Sequence, residues 1–122
     1  MFSMSATIKQ NEKYILFKAE GLYTYQDMKE LIDYFDRVLE TNPNAKLLLD
    51  YSDITNYEQA AMKIAYNRIE KGFPKGVRIA IVYQEKHLFK FVLNVMAQSM
   101  VRTAKFFEDA KEAEEWLLDE SD

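Results

Sequence analysis

At 122 residues, with 48% hydrophobic and 30% charged positions, the chain has the make-up of one soluble globular domain over residues 1–122. Its net charge of −4 gives no electrostatic case for nucleic acid or an anionic surface; the basic groups Lys71/Lys75/Arg78 and Lys86/His87/Lys90 are local. The absence of cysteine excludes a disulfide framework and thiolate metal or redox chemistry. The opening Met1–Met4 predicts no signal peptide, and no apolar run nears the roughly 20 residues of a spanning helix, so a cytoplasmic setting is expected.

Ser5–Gln10 alternates apolar and polar residues and reads as a first strand, and Tyr14–Ala19 as a second. Asn11-Glu12 between them predicts a tight turn with Asn at positive φ, hence an antiparallel hairpin. Gly21 is expected to break the second strand. Thr24-Tyr25-Gln26-Asp27 has the spacing of a capping box, and behind it Met28, Leu31, Ile32, Phe35, Val38 and Leu39 recur at steps of three and four. That spacing predicts a helix stopped by Asn42-Pro43-Asn44.

Lys46–Asp50 carries the apolar triplet Leu47-Leu48-Leu49 and predicts a buried central strand, followed by a polar loop Tyr51–Thr55. A second helix is expected from about Tyr57 to Lys71, with Ala61, Ile64, Ala65 and Ile69 inward, ended by Gly72-Phe73-Pro74. Val77–Tyr83 is a further apolar run and reads as a strand. The segment 86–102 predicts a third helix that is apolar nearly all round; Phe89, Leu93 and Met96 mark the face it leaves for a partner or an apolar ligand. Lys105–Phe107 reads as a last strand. Asp109–Leu118 closes the chain as a helix with Ala110, Ala113, Trp116 and Leu117 buried. The order is ββαβαβαβα, an α/β fold with a mostly parallel mixed sheet behind an N-terminal antiparallel hairpin.

Chemistry is sparse along this pattern. Asp50 and Asp53 flank the central loop, with Glu58 beyond it, and carboxylates at a strand end serve Mg²⁺–phosphate or acid–base chemistry. No glycine-rich phosphate cradle accompanies them. Ser52 and Thr55 offer hydroxyls, but a serine nucleophile requires a base, and the single histidine is His87. An enzyme would therefore have to bring Asp50, Asp53 and His87 together. No His pair or ligand cluster predicts a metal, and no motif calls for a cofactor. Tyr51, Tyr57, Tyr66 and Tyr83 read either as a stacking edge or as ordinary packing.

Leu47-Leu48-Leu49-Asp50-Tyr51-Ser52-Asp53-Ile54-Thr55 resembles the corresponding segment of STAS domains. The chain as a whole resembles their SpoIIAA-like (STAS/SEC14-like) branch. Gly21-Leu22-Tyr23-Thr24, the strand Arg78–Val82 and the closing Phe106–Ala110 with Ala113-Glu114-Glu115-Trp116-Leu117 carry the rest of the likeness. The resemblance implies a bacterial regulatory domain that binds protein partners, with the phosphorylatable acidic–Ser–Ser–Gly motif at the start of the second helix. Matched positions here are Glu58-Gln59-Ala60-Ala61, without a hydroxyl. The leading expectation is thus a non-enzymatic interaction domain without that switch, pairing with a protein or a second copy of itself. Its surface comprises Tyr51, Ser52, Asp53, Thr55 and Glu58, together with Phe89, Leu93 and Met96. The alternative is a carrier or sensor of a small hydrophobic ligand or lipid, with peripheral membrane contact as the resemblance implies.

Overall fold

The computed structural model describes residues 6–84 and 103–119. Within them, five strands form one sheet in the order β1-β2-β3-β4-β5. β1 (Ala6–Gln10) runs antiparallel to β2 (Ile15–Tyr23), and β3 (Lys46–Tyr57), β4 (Arg78–Val82) and β5 (Ala104–Phe107) continue parallel to β2. The expected α/β class, opening hairpin and mostly parallel sheet are present. The expected helix over 86–102, with His87, Phe89, Leu93 and Met96, lies outside the described residues.

The hairpin closes by side-chain chemistry. Asn11 Oδ1 accepts from the backbone N–H groups of Lys13 and Tyr14, both at 2.8 Å, and Asn11 N–H donates to Tyr14 C=O. Among the described residues no non-glycine residue has positive φ, so Asn11 acts through its amide and not through a left-handed backbone.

Among the described residues three helices pack on the sheet: α1 (Tyr25–Thr41), α2 (Gln59–Glu70) and α3 (Ala110–Leu118). Strand alternation sorts the core into two faces. Ile15, Phe17, Ala19, Leu47, Leu49, Ile79 and Ile81 face Met28, Leu31 and Phe35 of α1 and Ala61, Met62, Ala65 and Ile69 of α2. Leu48, Ala80 and Val82 face Ala113 and Leu117 of α3 on the other side. Crossovers β2–α1–β3 and β3–α2–β4 of one hand put α1 and α2 on the same face. Among the residues expected inward on α3, Ala110 is exposed and Trp116 half-buried, because the short helix turns only Ala113 and Leu117 onto the sheet.

Two boundaries differ from expectation, for one reason. β2 does not end at Gly21 but continues to Tyr23, and β3 runs through Tyr57, so Tyr51–Thr55 is strand and not loop. Each extension is the other's hydrogen-bonding partner, a pairing between residues over thirty positions apart. Its register slips twice, between Lys18/Glu20 and between Gly21/Leu22, each time leaving an extra residue on β3. The first slip changes the strand's parity, so after Tyr51 the next buried side chain is Ile54 and Asp53 is exposed. Gly21 has φ +73°, a backbone conformation that glycine adopts freely and a Cβ opposes. Gly72, at φ +78°, ends α2 as the sequence predicts, its N–H donating to Ile69 C=O.

Candidate functional site

The parallel strands deliver their carboxyl ends to one edge, where β2 hands over to α1 and β3 to α2. Open α/β sheets place their sites outside such edges. Thr24 caps α1 as expected: its Oγ1 accepts from Asp27 N–H, and Asp27 Oδ2 accepts from Thr24 N–H, both at 3.1 Å. Asp27 is fully buried. Glu58, the residue before α2, is exposed. Its N–H donates to Tyr23 C=O at 2.9 Å, and its Oε1 accepts from Tyr25 N–H at 2.6 Å. One residue thus joins the starts of both helices, and its carboxylate sits at the positive end of α1.

Beneath this edge lies an aromatic cluster. The hydroxyls of Tyr23 and Tyr51 are 3.0 Å apart, Met28 Sδ is 3.7 Å from Tyr23 Oη, and Phe17 meets both rings edge-on. Burial, and secondly the neighbouring Tyr51, push the Tyr23 phenol well above its ordinary range. Burial likewise raises Tyr51, against the opposing hydrogen bond with Tyr23 and with Asp27 adding in the same sense as burial. Both are neutral, hydrogen-bonded core groups at any physiological pH.

Of the residues read from the sequence as a surface, Ser52, Asp53, Thr55 and Glu58 reach solvent, and Tyr51 points inward into the cluster just described. Ser52 Oγ donates to Asp50 Oδ1 at 2.5 Å, and Ser52 N–H donates to the same oxygen, so Asp50 braces its own strand. Asp53 pairs with Lys18 at 3.4 Å, both half-exposed, an ion pair of little energetic weight in water. Tyr57 and Tyr83 are half-buried, and Tyr66 is exposed on α2. Among the described residues, no three His, Cys, Asp or Glu side chains cluster to hold a metal, and no helix is long and apolar enough to cross a membrane.

Sequence reasoning missed Leu22 and Tyr25. They are 48% and 40% exposed, large apolar side chains left in water at the same edge. Leu22 pairs with Asn56 in the extended register, and Tyr25 is the residue bonded to Glu58. The signal was present as an apolar residue on either side of the capping threonine, a place where neither is required for the helix stripe.

A family model described as SpoIIAA-like matches residues 14–118. Comparison with curated proteins gives no match. Among solved structures, an uncharacterized protein of the DUF3478 family with a SpoIIAA-like fold, from Shewanella loihica PV-4, is similar at 24% identity. Its TM-score is 0.67 over 92% of this chain and 91% of that one. An anti-sigma factor antagonist from Mycobacterium paratuberculosis aligns with TM-score 0.70 at 12% identity, over 98% of this chain and 100% of that one. The unphosphorylated anti-sigma factor antagonist SpoIIAA aligns with TM-score 0.62 at 5% identity, over 88% and 91%. At these identities the structural likeness establishes the STAS fold alone.

Proposed function

Because the chain belongs to the SpoIIAA-like family, we propose that it is a regulatory protein-binding domain, one unit over residues 1–122, which performs no chemistry of its own. It docks a partner protein at the carboxyl edge of the sheet. The observation that carries this reading is the exposed pair Leu22 and Tyr25 beside Glu58, set on a rigid joint between two helix starts. Large apolar side chains left in water next to fixed polar groups are what the centre of a docking surface requires. The Ser52 hydroxyl is tied to Asp50 of its own strand, and the reading assigns it no nucleophilic role. Residues Glu58-Gln59-Ala60-Ala61 carry no hydroxyl, so the reading includes no phosphate switch at the start of α2.

The likeness to anti-sigma factor antagonists makes an anti-sigma factor the partner class to test. Calorimetric titration against the anti-sigma factors of the source organism is expected to give saturable binding. The double variant Leu22→Asp/Tyr25→Ser should weaken it at least tenfold, about 1.4 kcal/mol, without a large change in melting temperature. No binding, or binding indifferent to the double variant, overturns the reading. Sedimentation across concentration separates this partner class from a second copy of the chain.

A further inference from the structure

The face of the sheet that carries α3 is covered only in part. α3 meets β2 no further along than Leu16, which with Tyr14 is half-buried against the Leu48 and Leu117 cluster. Beyond it, strand alternation turns Lys18, Glu20 and Leu22 to that same side, and all three are exposed. On β3, Asp50 lies opposite Lys18 and Asp53 lies opposite Glu20, so these carboxylates join the same face. Glu20 and Asp53 therefore stand directly across from each other, and like charges so placed cost stability. Lys18 Nζ reaches Asp53 Oδ2 at 3.4 Å, but both side chains are about half exposed and the pair offsets little. The other cations that β1 and β3 give this face are remote. Lys9 lies opposite Leu16, four residues before Glu20, and Lys46 lies four residues before Asp50, in each case ~13 Å at about 3.3 Å per residue. The carboxyl end of the face is thus acidic, with Leu22 at its rim and the exposed Glu58 just beyond.

We propose that the partner meets this end of the sheet with a basic segment, seating an apolar side chain on Leu22 and placing Lys or Arg against Glu20 and Asp53. This deepens the docking reading and rests on it, adding the partner's chemistry. Charge complementarity selects the occupant. A cationic side chain from outside relieves the Glu20–Asp53 repulsion that Lys18 leaves in place. Nucleic acid and anionic membrane bring phosphate of the wrong sign. A second copy docking here about a two-fold axis would set the same carboxylates against each other. A metal ion is a poorer occupant than separate side-chain cations, since no three of the described carboxylates converge to hold one. Leu22 supplies the apolar contact that a purely ionic surface lacks.

The test uses the full chain, labelled for amide NMR, and two synthetic peptides of equal length. One alternates Leu with Lys and Arg; in the other Glu replaces every Lys and Arg. The cationic peptide should shift the amides of Glu20, Leu22, Asp53 and Thr55, and the anionic peptide should not. Glu20→Lys and Glu40→Lys change the net charge equally, and Glu40 is exposed at the far end of α1. Glu20→Lys should weaken the cationic peptide at least about tenfold, and Glu40→Lys by less than about twofold. Shifts centred elsewhere, equal binding of the anionic peptide, or equal effects of the two lysine variants each overturn the proposal. An anti-sigma factor whose binding needs Leu22 and Tyr25 but ignores Glu20→Lys overturns the partner chemistry and leaves the docking reading standing. One that binds without need of Leu22 and Tyr25 overturns the docking reading itself.

Discussion

Tyr23 and Tyr51 show how single groups hold the carboxyl edge. Their hydroxyls are buried and 3.0 Å apart, and either can be the donor. Tyr51→Phe leaves the Tyr23 hydroxyl with the weak acceptor Met28 Sδ, so we expect a loss of about 1–3 kcal/mol in urea unfolding. The double variant Tyr23→Phe/Tyr51→Phe should cost less than the sum of the two singles, because the second change removes the orphaned group. The same burial sets a pH dependence. Folded-state phenols raised above their unfolded value of 10.0 contribute stability that is fully present below pH 10 and is lost as pH rises above it, while the unfolded chain ionises first. Tyr14, raised chiefly by its hydrogen bond to Glu114 and then by burial, acts in the same direction. Stability from these groups should be flat from pH 7 to 9 and then fall, by about 1.4 kcal/mol per pH unit for each of the buried Tyr23 and Tyr51, with the more exposed Tyr14 adding little. Tyr51→Phe should make that fall shallower, as measured by urea titrations at stepped alkaline pH.

Secondary elements differ in how openly the sequence announces them. α1 was fully legible: a capping box, a clean stripe and a stop signal are all local, and each acts where the sequence places it. The second half of β3 was not. Tyr51-Ser52-Asp53-Ile54-Thr55-Asn56-Tyr57 is polar and breaks the two-residue alternation, because its register slips twice against β2. What makes it strand is pairing with Glu20–Tyr23, a distant segment whose Gly21 reads as a terminator. The candidate surface inherits this difficulty. Polarity in the sequence marks Ser52, Asp53, Thr55 and Glu58 as solvent-facing, which they are, whereas Tyr51 is buried, since Leu47, Leu49 and Tyr51 share one parity and point the same way. α3 shows a dependence of another kind. Arg78 on β4 donates from Nη1 to Trp116 C=O at 2.8 Å and Asp119 C=O at 2.6 Å, and its guanidinium lies 5.3 Å from the centre of the Trp116 ring. The helix has no basic residue in its last turn, so its free carbonyls are met from the sheet. Arg78→Met should cost about 1–3 kcal/mol, with hydrogen exchange rising first at the end of α3.

At the level of the described structure, the two sheet faces are unequal. The α1/α2 face carries most of the fully buried side chains, whereas on the α3 face only Leu48, Ala80, Val82, Ala113 and Leu117 are buried, two of them alanines, with Tyr14, Leu16, Phe107 and Trp116 half-buried around them. A smaller apolar contact opens at lower free energy. Leu117, fully buried, is the anchor there; Leu117→Ala should cost about 2–5 kcal/mol. Amide exchange should show α3 released while the β2–β3 pairing stays protected. The Glu58 joint has a mechanical meaning on the other face. Two rods riveted at one end behave like forceps: they hold register at the rivet and part at the tips. The rivet is the bond from Tyr25 N–H to Glu58, and the tips are fastened by Arg68 and Asp36, whose carboxylate is 44% exposed and therefore open to screening by salt. Any parting of α1 from α2 consequently begins at the tips, and leaves the grip of the carboxyl edge undisturbed.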